Sequence, residues 1–85
     1  FFDAKCYKEV LTISDQGIDF CIKYGNLAFF PILIVNKGGA LAELKETNNA
    51  KIYLHQAVTI LEAMKQVEVV ERVTDWCKLY YQIEF

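Results

Sequence analysis

The chain has 85 residues, of which 54% are hydrophobic and 14% are aromatic, and its formal net charge is -2. A domain this short has too little volume to bury so many large side chains, so we expect some of them to face a neighbouring chain or domain. The nine basic and eleven acidic residues include no run of lysine or arginine. The clustered positive charge that nucleic-acid binding requires is therefore missing, and we expect no direct contact with DNA or RNA.

The longest apolar run, residues 27–35, is interrupted by Pro31, whereas a membrane span needs about twenty residues. Cys6, Cys21 and Cys77 form no CxxC pair. We expect them to be reduced core thiols, with an exposed or redox-active thiol as the alternative. Reduced thiols predict a cytoplasmic protein, and the short apolar run predicts that it does not enter a membrane. Because the chain begins at Phe1 without a methionine, we also expect it to be part of a longer protein.

Apolar residues recur at steps of three and four from the start of the chain, which predicts an all-α fold. The first predicted helix carries its apolar face at Tyr7, Val10, Leu11, Ile18, Cys21 and Ile22. Asp3 is the expected cap of this helix, and Gly25 marks its end. Gly17 lies inside the helix, where a bare backbone allows another helix to cross closely.

The second predicted helix covers about residues 27–45, with Asn26 as its N-cap. Pro31 either starts its regular part or kinks it. Residues 32–35 are apolar on every side, so we expect this helix to lie between others. The polar residues 45–49 predict a short turn between antiparallel helices.

The third predicted helix covers about residues 50–64, and the fourth covers about residues 68–83. The fourth carries an apolar seam at Val69, Val73, Trp76, Tyr80 and Ile83. The β-branched valines among residues 67–70 would also suit a strand, but no partner run exists elsewhere, so a helix is predicted there. Short connections then make neighbouring helices antiparallel.

Small residues in the middle of the chain follow a fixed spacing: Ala50 comes twelve residues after Gly38, and Ala57 comes seven after Ala50. Bulky residues accompany them at Ile34, Leu41 and Leu54. This pattern resembles the tetratricopeptide repeat, a pair of helices with small residues where the two pack closely. The resemblance implies tetratricopeptide-like antiparallel hairpins with about four helices in a single domain, residues 1–85. The best repeat is residues 31–64.

Three positions depart from the repeat, since Lys37 replaces a leucine, Lys45 replaces the glycine of the turn, and Glu62 replaces the closing proline. Residues 3–25 resemble the second helix of a preceding repeat, and residues 67–84 resemble the first helix of a following one. A plain four-helix bundle with the same small residues is the alternative.

Residues 13–44 carry a second resemblance. It rests on the GIDFC helix, an Asn-capped helix start of the form L-x-x-x-P, and the NKGGA hairpin segment. These features resemble the C-terminal region of helix-turn-helix transcriptional regulators of low-GC Gram-positive bacteria, relatives of the Rgg and PlcR peptide-sensing groups. In that family a DNA-binding domain precedes degenerate tetratricopeptide-like repeats. The resemblance implies the regulatory, oligomerising end of a transcription factor.

In a tetratricopeptide superhelix the first helix of each pair lines a concave groove. The candidate groove residues are Asn36, Gly39, Ala42 and Glu43 on the second helix, and Thr74, Lys78 and Tyr81, which we expect to face away from the apolar seam of the last helix. The Asn36 amide offers an acceptor and two donors, which suit the backbone of an extended peptide of any sequence. Gly39 and Ala42 leave room for the ligand. Capping of a neighbouring backbone group is the alternative role for Asn36.

Two functions follow from these features. The first is a peptide- or protein-binding regulatory domain, and the second is a constitutive adaptor or self-association module with no small ligand. The many aromatic residues suit a homodimer under either function. The one histidine, His55, has no acid or nucleophile at a catalytic spacing. We therefore predict no enzymatic activity, catalytic residue, metal site or cofactor.

Overall fold

A computed structural model describes residues 4–85, so the expected cap Asp3 lies outside the described residues. These residues form four helices: α1 (Ala4–Tyr24), α2 (Phe30–Glu43), α3 (Thr47–Ala63) and α4 (Val67–Tyr81). The predicted all-α fold of about four helices is confirmed. Residues 67–70 begin α4, so the choice of helix over strand is also confirmed.

The starts of α2 and α3 differ from the starts that the sequence predicts. α2 begins at Phe30 rather than near Leu27, and Pro31 lies in its first turn. A proline there removes no helical hydrogen bond, because the N–H groups of the first turn have no partner within the helix. Asn26 is not its N-cap, since the Asn26 Oδ1 accepts the N–H of Ala28 at 3.3 Å within the linker. α3 begins at Thr47, before the predicted start at Ala50.

Helices α1 to α4 are each followed by a residue in the left-handed conformation: Gly25 (φ 66°), Lys45 (φ 68°), Lys65 (φ 60°) and Gln82 (φ 56°). After α2 the Glu46 N–H donates to the Leu41 carbonyl and the Lys45 N–H donates to the Ala42 carbonyl. This pair of bonds is the Schellman motif, which satisfies carbonyl groups that the helix leaves free. The corresponding bonds recur after α3. Lys45 therefore adopts the backbone conformation that glycine provides in the repeat it resembles.

α2 is the central helix and packs against both α1 and α3. Against α3, a Cβ built on Gly38 would lie 2.6 Å from Leu54 Cγ and 3.4 Å from the Ala50 carbonyl oxygen. Against α1, a Cβ on Gly17 would lie 3.0 Å from the methyl groups of Leu33. The expected close crossings at both glycines are observed.

The core lies mainly along the α2–α3 contact and extends to α4. Its largest apolar members are Ile34, Val35, Leu41, Leu54, Val58, Leu61, Val73 and Ile83. Ile83 follows the end of α4 at Tyr81 and is fully buried, and the ring of Phe85 lies 4.7 Å from that of His55. The residues after α4 thus return across α3.

The cysteines divide into two kinds. Cys21 and Cys77 are buried, as expected of core thiols, whereas Cys6 is partly exposed. Burial raises the pKa of the Cys77 thiol to about 11, so this thiol stays protonated at neutral pH. None of the described helices combines the length and the apolarity needed to cross a bilayer.

Candidate functional site

A cleft of about 510 Å³ lies between α1, α2 and α4. Its lining residues are Tyr7, Val10, Asn36, Gly39, Ala40, Glu43, Trp76, Tyr80 and Tyr81. We call it the aromatic cleft. Its volume falls within the range of roughly 300–1,000 Å³ that is typical of ligand-binding pockets.

The floor of the aromatic cleft is one face of α2. Asn36, Gly39, Ala40 and Glu43 are spaced three, four and seven residues apart, so helical geometry places them side by side. Gly39 and Ala40 are both buried and lack long side chains, which keeps the middle of this face low. Asn36 and Glu43 are exposed at its two ends. The floor therefore has a polar group at each end and small residues between them.

One wall of the cleft is aromatic and comes from α4. The Trp76 ring crosses Gly39 so closely that a Cβ built there would lie 2.8 Å from Trp76 Cη2. The rings of Trp76 and Tyr81 meet edge to face, with centroids 5.1 Å apart and planes 82° apart. Tyr80 is 67% exposed at the rim. Gly39 thus makes room for Trp76, and Trp76 sets the position of the wall.

On the other side of the cleft, two tyrosine hydroxyls hydrogen-bond to the Glu43 carboxylate. The Tyr81 hydroxyl donates to Glu43 Oε1 at 2.8 Å, and the Tyr7 hydroxyl also hydrogen-bonds to this carboxylate. Burial, followed by the interaction with Glu43, raises the pKa of both tyrosines. Both hydroxyls therefore remain protonated donors at neutral pH. They fix the orientation of the carboxylate between α1 and α4.

Asn36 lies at the other end of the floor, with its side chain exposed. Within the described part of the chain, the side-chain amide of Asn36 makes no hydrogen bond. The alternative role of Asn36, satisfying a neighbouring backbone group, finds no partner among these residues. Its acceptor and two donors are available to a ligand in the cleft.

The predicted groove residues fall into two groups. Asn36, Gly39, Glu43 and Tyr81 line the aromatic cleft together, whereas Ala42, Thr74 and Lys78 lie outside it. Ala42 is buried beside a smaller depression at the α2–α3 turn. Thr74 and Lys78 line another depression with the residues that follow α4. The Thr74 hydroxyl already donates to the carbonyls of Val70 (2.9 Å) and Glu71 (3.1 Å) in its own helix.

Tyr81 differs from its expected position. The prediction that it faces away from the apolar seam is wrong, because its ring is partly buried against the core and against Trp76. Tyr7 and Val10 were not among the candidates, although both line the cleft. Their helical spacing put them on the inner face of α1, but spacing within one helix carries no information on which other helix that face meets.

The Lys37 side chain, next to Asn36 in the sequence, has a structural role. The Lys37 ammonium lies 2.6 Å from Asp15 Oδ1 and 4.4 Å from the centre of the Tyr53 ring, so it links α1, α2 and α3.

Among the described residues, no group of three or more His, Cys, Asp or Glu side chains is placed to hold a metal ion. Comparison of the chain with models of protein families, with curated proteins and with solved structures found no match.

Proposed function

We propose that this chain binds an extended peptide segment in the aromatic cleft and that it is the regulatory domain of a bacterial transcriptional regulator. The observation that carries the peptide-binding proposal is the Asn36 amide, which has no partner among the described residues and stands at the edge of an aromatic-walled cleft. An extended peptide presents a backbone N–H and C=O at every residue. A side-chain amide matches both groups at once.

The walls of the cleft suit such a ligand. Trp76, Tyr80 and Tyr81 offer apolar ring faces with polar tips, a combination that supplies much of the contact energy at protein interfaces. Gly39 lets the Trp76 ring lie close against α2, so this ring, together with Tyr80 and Tyr81, forms the apolar surface on which the ligand packs. The aromatic groups then bind alternate side chains of the ligand while Asn36 holds its backbone.

The regulatory role rests on the resemblance to peptide-sensing regulators and on the position of the cleft. A peptide in the cleft touches α1, α2 and α4 together. It therefore favours the arrangement in which Trp76 lies across Gly39 and Tyr81 bonds to Glu43. A ligand shifts a conformational equilibrium by its difference in affinity for the two states. Peptide binding would in this way set the position of α4 and of any domain or second copy that contacts it.

Peptides selected from a displayed library of random linear sequences test the proposal. Their affinities are measured with the purified chain and with an Asn36→Ala variant. We expect a loss of about tenfold or more in the variant, since each of the two hydrogen bonds contributes a net of about 0.5–1.5 kcal/mol. Gln16→Ala is the matched control, because Gln16 is an exposed amide on α1 that does not line the cleft.

Unchanged affinity in Asn36→Ala would remove Asn36 from the site, and failure to select any peptide would contradict the proposed function.

The second candidate function is constitutive self-association as a homodimer. It is favoured by an exposed apolar stripe on the outer face of α1, formed by Ile13, Phe20 and Tyr24. Self-association through this stripe would leave the aromatic cleft unused.

A further inference from the structure

The aromatic cleft carries a net negative charge. Glu43 is the one charged residue among its lining residues in the described part of the chain, and no lysine or arginine lines it there. α2 has no basic residue in its last turn, where Glu43 lies. The full charge of the carboxylate therefore remains.

Glu43 keeps bonding capacity after its two tyrosine contacts. A carboxylate has about four acceptor positions, and the hydroxyls of Tyr81 and Tyr7 occupy two of them. Because these hydroxyls hold the group in place, a ligand that binds to it loses little further freedom. The remaining positions can accept two parallel N–H groups.

The aromatic wall beside Glu43 favours the same kind of ligand. The faces of tryptophan and tyrosine rings carry negative electrostatic potential and attract cations, with tryptophan the strongest. Trp76, Tyr80 and Tyr81 supply these rings on α4, and Tyr7 supplies a fourth on α1. A flat cation that both stacks on a ring and donates two bonds to a carboxylate is the guanidinium group.

We infer that the aromatic cleft selects peptides that present an arginine side chain, whose guanidinium stacks on the ring wall of α4 and donates to Glu43. This inference rests on the proposed peptide-binding function and specifies its substrate class. Asn36 binds the ligand backbone at one end of the cleft, and Glu43 binds the arginine side chain at the other end. Lysine fits less well, because its ammonium is a point charge that neither stacks nor donates as a fork.

The one tryptophan of the chain makes the test direct, since Trp76 itself lines the cleft. The probes are a blocked peptide, acetyl-Ala-Leu-Arg-Leu-Ala-amide, and its counterparts with lysine or citrulline at the centre. Citrulline has nearly the shape of arginine but no charge. Titrations followed by Trp76 fluorescence are expected to show arginine binding about tenfold more tightly than citrulline, with lysine between them.

Glu43→Gln removes the charge and keeps the shape and the acceptor oxygen. We expect it to bring the affinity for the arginine peptide closer to that for the citrulline peptide, leaving only the preference that the aromatic rings supply, and to change the citrulline affinity less. Glu71→Gln is the control, because Glu71 is exposed on α4 and does not line the cleft. Circular dichroism checks that each variant keeps its helices. If Glu43→Gln unfolds the chain, Tyr81→Phe replaces it, because loss of the hydroxyl that orients Glu43 must also reduce the preference for arginine.

Two results would overturn the inference while leaving peptide binding intact. One is equal affinity for the arginine and citrulline peptides, with both weakened by Asn36→Ala. The other is an arginine preference that Glu43→Gln leaves undiminished. A third result, in which neither these peptides nor any library-selected peptide changes Trp76 fluorescence, would overturn the inference and the proposed function together.

Discussion

Gly38 and Gly39 are neighbours in the sequence, but they serve different contacts. Gly38 faces Leu54 of α3, and Gly39 faces Trp76 of α4. Successive residues of a helix point about 100° apart, so two adjacent glycines let one helix approach two partners. The first contact belongs to the core, and the second shapes the aromatic cleft.

Gly38→Ala is expected to lower the free energy of unfolding by about 1 kcal/mol or more. Overpacking a buried site costs about 1–3 kcal/mol, whereas alanine gains about 1 kcal/mol over glycine inside a helix. Overpacking dominates because the new Cβ would meet Leu54, which is fully buried and has no space to move into. Urea unfolding monitored by circular dichroism measures the change.

Gly17→Ala is the control for Gly38→Ala. Its Cβ would meet the methyl groups of Leu33, a half-buried side chain that has room to adjust. We expect this variant to be as stable as the parent chain or more stable. A Gly38→Ala variant that is no less stable than the Gly17→Ala variant would contradict the close α2–α3 packing.

Sequence reasoning at the residue scale was strongest where a small residue was needed. The spacing of Gly38, Ala50 and Ala57 marked positions that are all buried in the fold. The site is less predictable, because the periodicity of a helix determines which residues share a face but not which other helix covers that face. Gly39 was expected to leave space for a ligand, but Trp76 of α4 takes part of that space.

At the scale of the elements, the way the helices end is the recurrent feature. Lys45 and Lys65 both take the left-handed conformation and close the same hydrogen-bonded motif. That conformation costs about 1–2 kcal/mol for a residue with a side chain, and glycine avoids the cost. The two lysines are therefore strained by their positions.

Lys45→Gly and Lys65→Gly are each expected to raise the free energy of unfolding by about 0.5–1 kcal/mol, which is the strain removed less the entropy that glycine adds to the unfolded chain. Thermal unfolding of the single and double variants measures this gain. Lys51→Gly is the comparison, since the same change inside α3 costs about 1 kcal/mol. Equal destabilisation at all three positions would contradict the left-handed helix ends.

The four helices could be predicted because each has a long apolar periodicity, but their starts could not be placed as well. The polar residues 47–49 indicated a turn, yet they form the first turn of α3, and no side chain caps that helix. Asn26 looked like a cap, yet its amide oxygen bonds within the linker. Several backbone conformations satisfy such polar residues equally well, and the packing of α2 and α3 decides between them.

On the scale of the whole molecule, the described chain has a radius of gyration of 12.4 Å, close to the value of about 12 Å expected for a compact domain of this length. It nevertheless exposes many large apolar side chains, as its composition predicted. Ile13, Phe20 and Tyr24 form one stripe on α1 and are 64%, 56% and 63% exposed. Among the described residues, this stripe and the aromatic cleft are the surfaces that we propose for a protein partner.

The aromatic cleft is a feature of the assembled helices. The sequence identified Asn36 and Glu43 as one face of a helix, which local periodicity determines. It did not show that Tyr7 of α1 and Trp76 of α4 meet over that face, because the two residues are far apart in the chain and only the packing of α1 and α4 around α2 brings them together. The chemistry of the cleft follows from that packing.

The central claim is that a peptide ligand occupies the aromatic cleft. Chemical-shift mapping of backbone amides and side-chain N–H groups tests it most directly, with the tightest-binding peptide from the displayed library added to isotope-labelled protein. We expect the largest changes at the Asn36 amide, the Trp76 indole N–H, and the backbone of Glu43 and Tyr81. Changes centred on Phe20 and Tyr24, or spread evenly over all four helices, would contradict the claim.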